Sequence, residues 1–184
     1  MTVLVDDARW EWHGTRWAHL VSDESYDQLH LFAQQLGKRR LGFQGDHYDI
    51  DKVDRERAVA LGAEVVDSRI LVRRLRMAGL RRRDSKPNWE RVAEASPGRS
   101  LEFELVVESF GEPGDRLHDS VTSLGDLEVI SNSAVFADDR HLVALLDVGA
   151  GVEVDLPALP HIAEIWSGHA RADGGRSVEL FVTR

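Results

Sequence analysis

Arg9-Trp10-Glu11-Trp12-His13-Gly14-Thr15-Arg16-Trp17-Ala18-His19-Leu20-Val21 is the stretch from which the fold of the first half is read. Aromatic and polar residues alternate on both sides of His13-Gly14, and this period of two predicts two strands joined by a turn. On the second strand Trp17 and His19 share one face, and Ala18 and Leu20 share the other. The tryptophans read first as core or interface mass. A base-stacking platform is the second reading, weakened by the lack of a basic strip among them.

Upstream, Val3-Leu4-Val5 reads as a short buried strand running into Asp6-Asp7. Carboxylates there either sit at the carboxyl edge of a sheet, where open α/β sheets hold ligands, or begin a solvated loop. Downstream, Ser22 or Asp23 caps a helix whose apolar positions are Tyr26, Leu29, Phe32, Ala33 and Leu36, and Gly37 ends it. His30 borders that stripe. A short helix is expected from Asp51 to Leu61, a strand over Ala63-Glu64-Val65-Val66, and a helix capped by Asp67 or Ser68 with Ile70, Leu71, Leu75 and Ala78 on its apolar face. Alternating strands and helices make residues 1–84 a small α/β domain. Arg69, Arg73 and Arg76 line another face of the last helix, and Arg81-Arg82-Arg83 follow it. This stripe reads as a solvated face complementing the helix dipole, or as a contact for an anionic partner.

Residues 85–99 are polar, hold two of the five prolines and read as a linker, with Trp89 placed to pin part of it to one domain. Beyond it, strands are expected over Leu101 to Val107, Leu127 to Phe136, Leu142 to Val148 and Val178 to Val182. Helices are expected over Gly114 to Leu124 and Pro157 to Trp166. That order makes residues 100–184 an α+β domain of the ferredoxin-like βαββαβ type. Charge divides in the same place. Of 32 acidic and 23 basic residues, residues 100–184 hold 16 and 5, which leaves 16 and 18 to residues 1–99. Two units with different surfaces follow from such a split.

With 42% hydrophobic and 30% charged residues the chain is an ordinary globular sequence. Having no cysteine, it can form neither disulfides nor thiolate metal sites, and it fits a reducing compartment. The net charge of −9 disfavours a general nucleic-acid-binding role. The start turns acidic within seven residues and is not expected to be a signal peptide. No apolar run nears the roughly 20 residues that span a bilayer, so the expected address is the cytoplasm, with no membrane partner.

The chain has no Gly-rich phosphate loop, dinucleotide fingerprint, Gly-x-Ser-x-Gly or His-Glu-x-x-His motif. What remains is a set of His and Asp in the first half, densest at Phe43-Gln44-Gly45-Asp46-His47-Tyr48-Asp49-Ile50. Imidazole with carboxylate either binds Zn²⁺, Mn²⁺ or Fe²⁺ or forms an acid–base pair. Strand alternation puts His47 and Asp49 on one face and Asp46 and Tyr48 on the other. His47 is therefore the candidate base or metal ligand and Asp49 its orienting group. Asp6, His19 and Asp23 are candidate additional ligands for a divalent metal, and Arg40 is the candidate anion holder. The bland alternative is a polar loop in which Asp46 and Asp49 cap turns around Gly45.

Val5-Asp6-Asp7, His19 with Asp23, Leu29-His30, Arg40, Phe43-Gln44, His47-Tyr48-Asp49, Arg57-Ala58 and Gly62-Ala63 come in an order and spacing that resembles the bacterial and phage domain-of-unknown-function family numbered 4031. The resemblance covers residues 1 to about 83 and stops before the acidic half. It implies that Asp6, His19, Asp23, Arg40, His47 and Asp49 belong to a recurring pattern, and it implies no substrate. The tryptophan-rich segment from Trp10 to Trp17 departs from it. The expectation is a cytosolic enzyme, hydrolase or nuclease-like, acting on a small anionic or phosphate-bearing substrate. The alternative is a non-catalytic binding or regulatory module that uses the Arg69–Arg83 stripe and the acidic second domain, with nucleic acid as a less favoured partner.

Overall fold

The protein is described by a computed structural model covering residues 2–82, 86–95, 99, 101–124, 130–149, 162, 164–170 and 175–184. The chain divides into two compact units, residues 1–87 and 88–184, both of mixed α/β content.

In the first unit the alternating stretch forms β2 (Trp10–Trp12) and β3 (Thr15–Ser22), paired antiparallel with Trp10 opposite Trp17. The far end of β3 pairs antiparallel with β1 (Val3–Val5), and its middle pairs with β4 (Tyr48–Asp51). Parallel to β1 runs β5 (Glu64–Val65), which makes the sheet mixed. Three helices accompany it: α1 (Tyr26–Gln35), α2 (Lys52–Ala60) and α3 (Ser68–Met77). Each starts on the residue type that helix starts prefer. Ser25, Asp51 and Asp67 accept backbone N–H bonds with their side chains, satisfying donors the first turn leaves open.

The two faces of this sheet are finished differently. Leu4 and Val21 sit opposite each other and pack with Val66, Leu71 and Leu75, so α3 covers that end of one face. Trp10, Trp17, His19 and Asp49 continue the same face away from α3, because Trp17 and His19 alternate with Ala18 and Leu20 and His19 pairs with Asp49. On the opposite face Ala18, Leu20, Tyr48 and Ile50 are buried, and His30 of α1 hydrogen-bonds Tyr48.

The second unit is a five-stranded antiparallel sheet in the order β6 (Glu90–Ala95), β7 (Ile130–Ala137), β8 (His141–Val148), β10 (Arg176–Thr183), β9 (Glu164–Ala170). Two helices, α4 (Phe103–Phe110) and α5 (Glu112–Ser123), close one face of it. The core there joins Phe103 and Val106 of α4 and Leu117 and Val121 of α5 to Leu142, Ala144, Leu146, Val178, Leu180 and Val182. Each of these Val, Leu and Phe side chains contributes about 1.5–3 kcal/mol on burial.

This unit differs from the sequence expectation in three places, and its described residues do not trace a βαββαβ order. Leu101 to Val107, expected as a strand, contributes its residues from Phe103 onward to α4. Its apolar positions also satisfy helical spacing through Phe103, Val106 and Phe110, and Leu105 then points outward at 57% exposure. A short apolar run fits both periods, and packing on α5 decides between them. Glu164 to Trp166, expected as helix, is strand, held by the pairing of Ile165 with Leu180 and Trp166 with Glu179. The rest of that expected helix, residues 157–161 and 163, lies outside the described residues. Residues 90–95, expected as linker, form β6 and pair with β7.

The junction between α4 and α5 depends on two glycines. Gly111 adopts φ +59°, a conformation that side chains disfavour. A Cβ on Gly114 would lie 2.9 Å from the Val106 carbonyl oxygen and 2.9 Å from Val107 Cα, both backbone atoms. Gly114→Ala gains about 1 kcal/mol of helix propensity and loses more to the clash, since overpacking costs up to about 3 kcal/mol. The expected result is a net loss of about 1–2 kcal/mol, read from urea titration of second-unit NMR signals. An unchanged midpoint would show that the helices separate freely.

Candidate functional site

Asp6 follows β1 directly, at the carboxyl edge of the sheet, and is only 2% exposed. Its Oδ1 accepts from the His19 backbone N–H at 2.7 Å, and its Oδ2 lies 2.9 Å from His19 Nδ1 and accepts from the Ser68 hydroxyl at 2.7 Å. Burial alone would raise this carboxyl. The bonds from the His19 ring, the His19 N–H and Ser68 outweigh it and hold Asp6 below the usual carboxylate value. His19 is thus gripped through Nδ1 by an ionised carboxylate, which fixes its ring and leaves Nε2 for other work.

The second imidazole repeats the arrangement. Gly45 turns the chain with φ +91°, and β4 begins only at Tyr48, so Asp46 and His47 lie in a turn. Asp46, 1% exposed, places Oδ1 2.6 Å from His47 Nδ1. Its Oδ2 accepts from the Arg81 guanidinium at 2.7 Å and the Arg82 N–H at 2.8 Å. His47 Nε2 then lies 3.3 Å from Asp49 Oδ1. That oxygen is buried and has no aligned hydrogen-bond donor. Burial opposes protonation of His47, but the flanking Asp49 and Asp46 carboxylates prevail and raise its pKa.

The two rings meet edge to face, with centroids 5.2 Å apart. His19, His47 and Asp49 each offer one ligand atom, and these atoms lie within 4.8 Å of one another. Ligands on one tetrahedral ion at about 2.1 Å are about 3.4 Å apart, so a small inward movement closes the set. Two imidazoles and a carboxylate suit Zn²⁺, Mn²⁺ or Fe²⁺. Asp6 and Asp46 supply the outer carboxylates that orient metal-binding histidines.

Some residues picked from the sequence stand elsewhere or act differently. Asp23 is not brought to the cluster. It follows the far end of β3, where Arg74 donates to it at 2.6 and 2.8 Å and the Thr2 N–H at 3.2 Å. Asp6 reaches the site through His19 and Ser68, as a support for the imidazole. The guanidinium of Arg40 lies over the Phe43 ring at 5.2 Å, and Phe43 packs on Tyr48, which points away from Asp49. The orienting partner of His47 is Asp46 as well as Asp49, because alternation does not apply to a turn. Ser68 and Arg81 also belong to the site, and no local pattern marks them, since their partners lie 62 and 35 residues away.

The arginine stripe also divides. Arg69, Arg73 and Arg76 are exposed, Arg74 and Arg81 pair with acids, and Arg82 lies over Tyr26; Arg83 lies outside the described residues. No helix among the described residues is long and apolar enough to cross a membrane.

No curated protein and no solved structure matches the chain. A family model described as "Protein of unknown function (DUF4031)" matches residues 3–78, a segment that contains Asp6, Asp46, Ser68 and all three residues of the His19–His47–Asp49 cluster. The first unit of this chain therefore carries a DUF4031 segment.

Proposed function

We propose that the first unit is a divalent-metal-dependent hydrolase acting on a phosphate-bearing substrate, with His19, His47 and Asp49 as the metal ligands. The supporting observation is the paired imidazoles. Each is held through Nδ1 by a buried carboxylate, and both face Asp49, whose buried Oδ1 lies 3.3 Å from His47 Nε2 without an aligned hydrogen bond. An ordinary structural histidine has no need of that arrangement twice at one point. An ion held there supplies an activated water and polarises a phosphoryl oxygen. The protein's part is to keep both rings in the tautomer that presents Nε2, through Asp6 and Asp46, and to fix Asp46 through Arg81. Arg40 has no role in this reading.

Elemental analysis of the purified protein tests it. The expected result is one Zn, Mn or Fe per chain, lost in both His47→Ala and Asp49→Ala while the amide NMR spectrum stays folded. Hydrolysis of a chromogenic phosphate ester is expected to follow ion content. A wild-type protein that takes up no ion, or variants that bind it equally well, would overturn the proposal.

A further inference from the structure

The geometry points to a nucleotide as the substrate, with its base stacked on the tryptophan shelf beside the metal ligands. This rests on the metal-site reading for the phosphate end only. Trp10 pairs with Trp17, Trp17 with Asp51 and His19 with Asp49, so strand register sets the indoles and the ligands on one sheet face. The Trp10 ring stacks on the His19 ring, with centroids 4.6 Å apart and planes at 36°. Trp17 and Trp12 extend the row, 5.7 Å apart and edge to face. On the same face α3 packs only at the Leu4–Val21 end. Indoles that served the core alone would be covered, yet Trp12 is 58% exposed and Trp10 and Trp17 are only partly buried.

A ligand whose phosphate sits at His19, His47 and Asp49 therefore meets an aromatic surface on one side, one ring away. Planar bases stack on such surfaces whatever their hydrogen-bonding pattern. The charge balance points to a small ligand over a long polyanion. Arg9 and Arg55, both near the β1 edge, pair with Asp7, and the exposed Arg69, Arg73 and Arg76 stand on α3, at the Leu4–Val21 end of that face away from the indoles.

The test is a calorimetric and tryptophan-fluorescence titration of the full chain with adenosine 5′-monophosphate, uridine 5′-monophosphate and ribose 5-phosphate, once with Mn²⁺ and once in EDTA. Both nucleotides are expected to bind about tenfold tighter than ribose 5-phosphate. Trp10→Ala is expected to erase that preference, and the exposed Trp12→Ala, which lies farther from the ligands, is expected to reduce it without changing ribose 5-phosphate binding or ion content. Should Trp10→Ala not fold, Trp10→Phe, which keeps a ring, is expected to retain part of the preference. Because stacking needs no ion, the preference is expected to persist in EDTA at lower affinity. Failure of the metal reading thus shows as an absent ion, and failure of the shelf as an absent base preference in both conditions. Equal binding of all three ligands, or a preference untouched by both tryptophan variants, would overturn the inference. A single-stranded oligonucleotide that outcompetes the mononucleotides a hundredfold would also overturn it.

Discussion

Asp46→Asn is expected to destabilise the first unit by about 2–4 kcal/mol and to weaken divalent-ion binding about 10- to 100-fold. The side chain is almost wholly buried and accepts from an imidazole, a guanidinium and a backbone N–H. An amide keeps the shape but removes the charge from both ion pairs, and it turns one acceptor into a donor facing other donors. Arg81 and His47 are themselves partly exposed, so solvent relieves some of the loss and the figure falls below that of a fully buried pair. His47 is expected to titrate at lower pH in the ion-free variant, because one of the carboxylates that raise it is gone. Urea titration, ion-competition titration and the His47 ring signal in NMR give three separate readouts. As a control, Asp139→Asn, at an exposed acid, is expected to change none of them. If Asp46→Asn binds the ion as tightly as wild type, Asp46 does not orient His47.

Acidification from pH 6.5 towards 4 is expected to destabilise the first unit by up to about 1.4 kcal/mol per pH unit, through His30. This ring is 8% exposed, accepts or donates at 2.9 Å to the Tyr48 hydroxyl, and packs against Phe43. Burial, and then the nearby Arg40 charge, push its pKa down to about 3. The sign follows from proton uptake. Between about 3 and 6.5 the unfolded chain holds a proton on His30 and the folded chain does not, so acid favours unfolding. His47 acts in the other direction. Its raised pKa contributes stability below 6.5 that is lost as pH rises through the folded value. The ion-free unit should therefore be most stable near pH 6.5. Asp6, with a lowered pKa, adds a further loss that begins at about pH 5, where its unfolded form starts to take up protons, so the His30 slope is read between about 5 and 6.5. Urea titrations read at the Ala18 and Ile50 amides should show this slope in wild type and a flatter one in His30→Gln. Equal slopes in the two proteins would remove His30 as the cause.

How much of the site is legible in the sequence depends on the distance over which each residue acts. Asp46-His47-Tyr48-Asp49 is dense enough in titratable groups to stand out, and the pairing of His47 with Asp49 follows from nearest neighbours. The place of Asp46 does not follow, because strand alternation does not hold through the turn that Gly45 creates. His19 and Asp6 are plausible from their positions on a strand and at its end. That Asp6 grips His19 Nδ1 instead of facing a ligand depends on a pairing between β1 and β3 that no local pattern specifies. Asp23 looks equivalent to Asp6 in composition, and it is separated from the site because Arg74 draws it to the other end of β3.

The sequence by itself determined the elements whose periodicity is long and whose ends are marked. These are the β2–β3 hairpin around His13-Gly14, α3 after Asp67, the strands β7 and β8, and the body of α1, whose cap is Ser25 in place of the expected Ser22 or Asp23. Local sterics and capping bonds act within a few residues, so they can be read in order along the chain. Tertiary structure decided what local energies leave degenerate. It turned the run from Phe103 into α4 because α5 offered Gly114 to pack against, and it made Glu164–Ala170 a strand because β10 offered an edge. It also brought His19 to His47 across 28 residues, through the register of β3 with β4. Because β1 and β2 also hold β3, a one-residue slip in that register would turn Asp49 to the opposite face from His19, so sheet pairing, more than the identity of the ligands, creates the site.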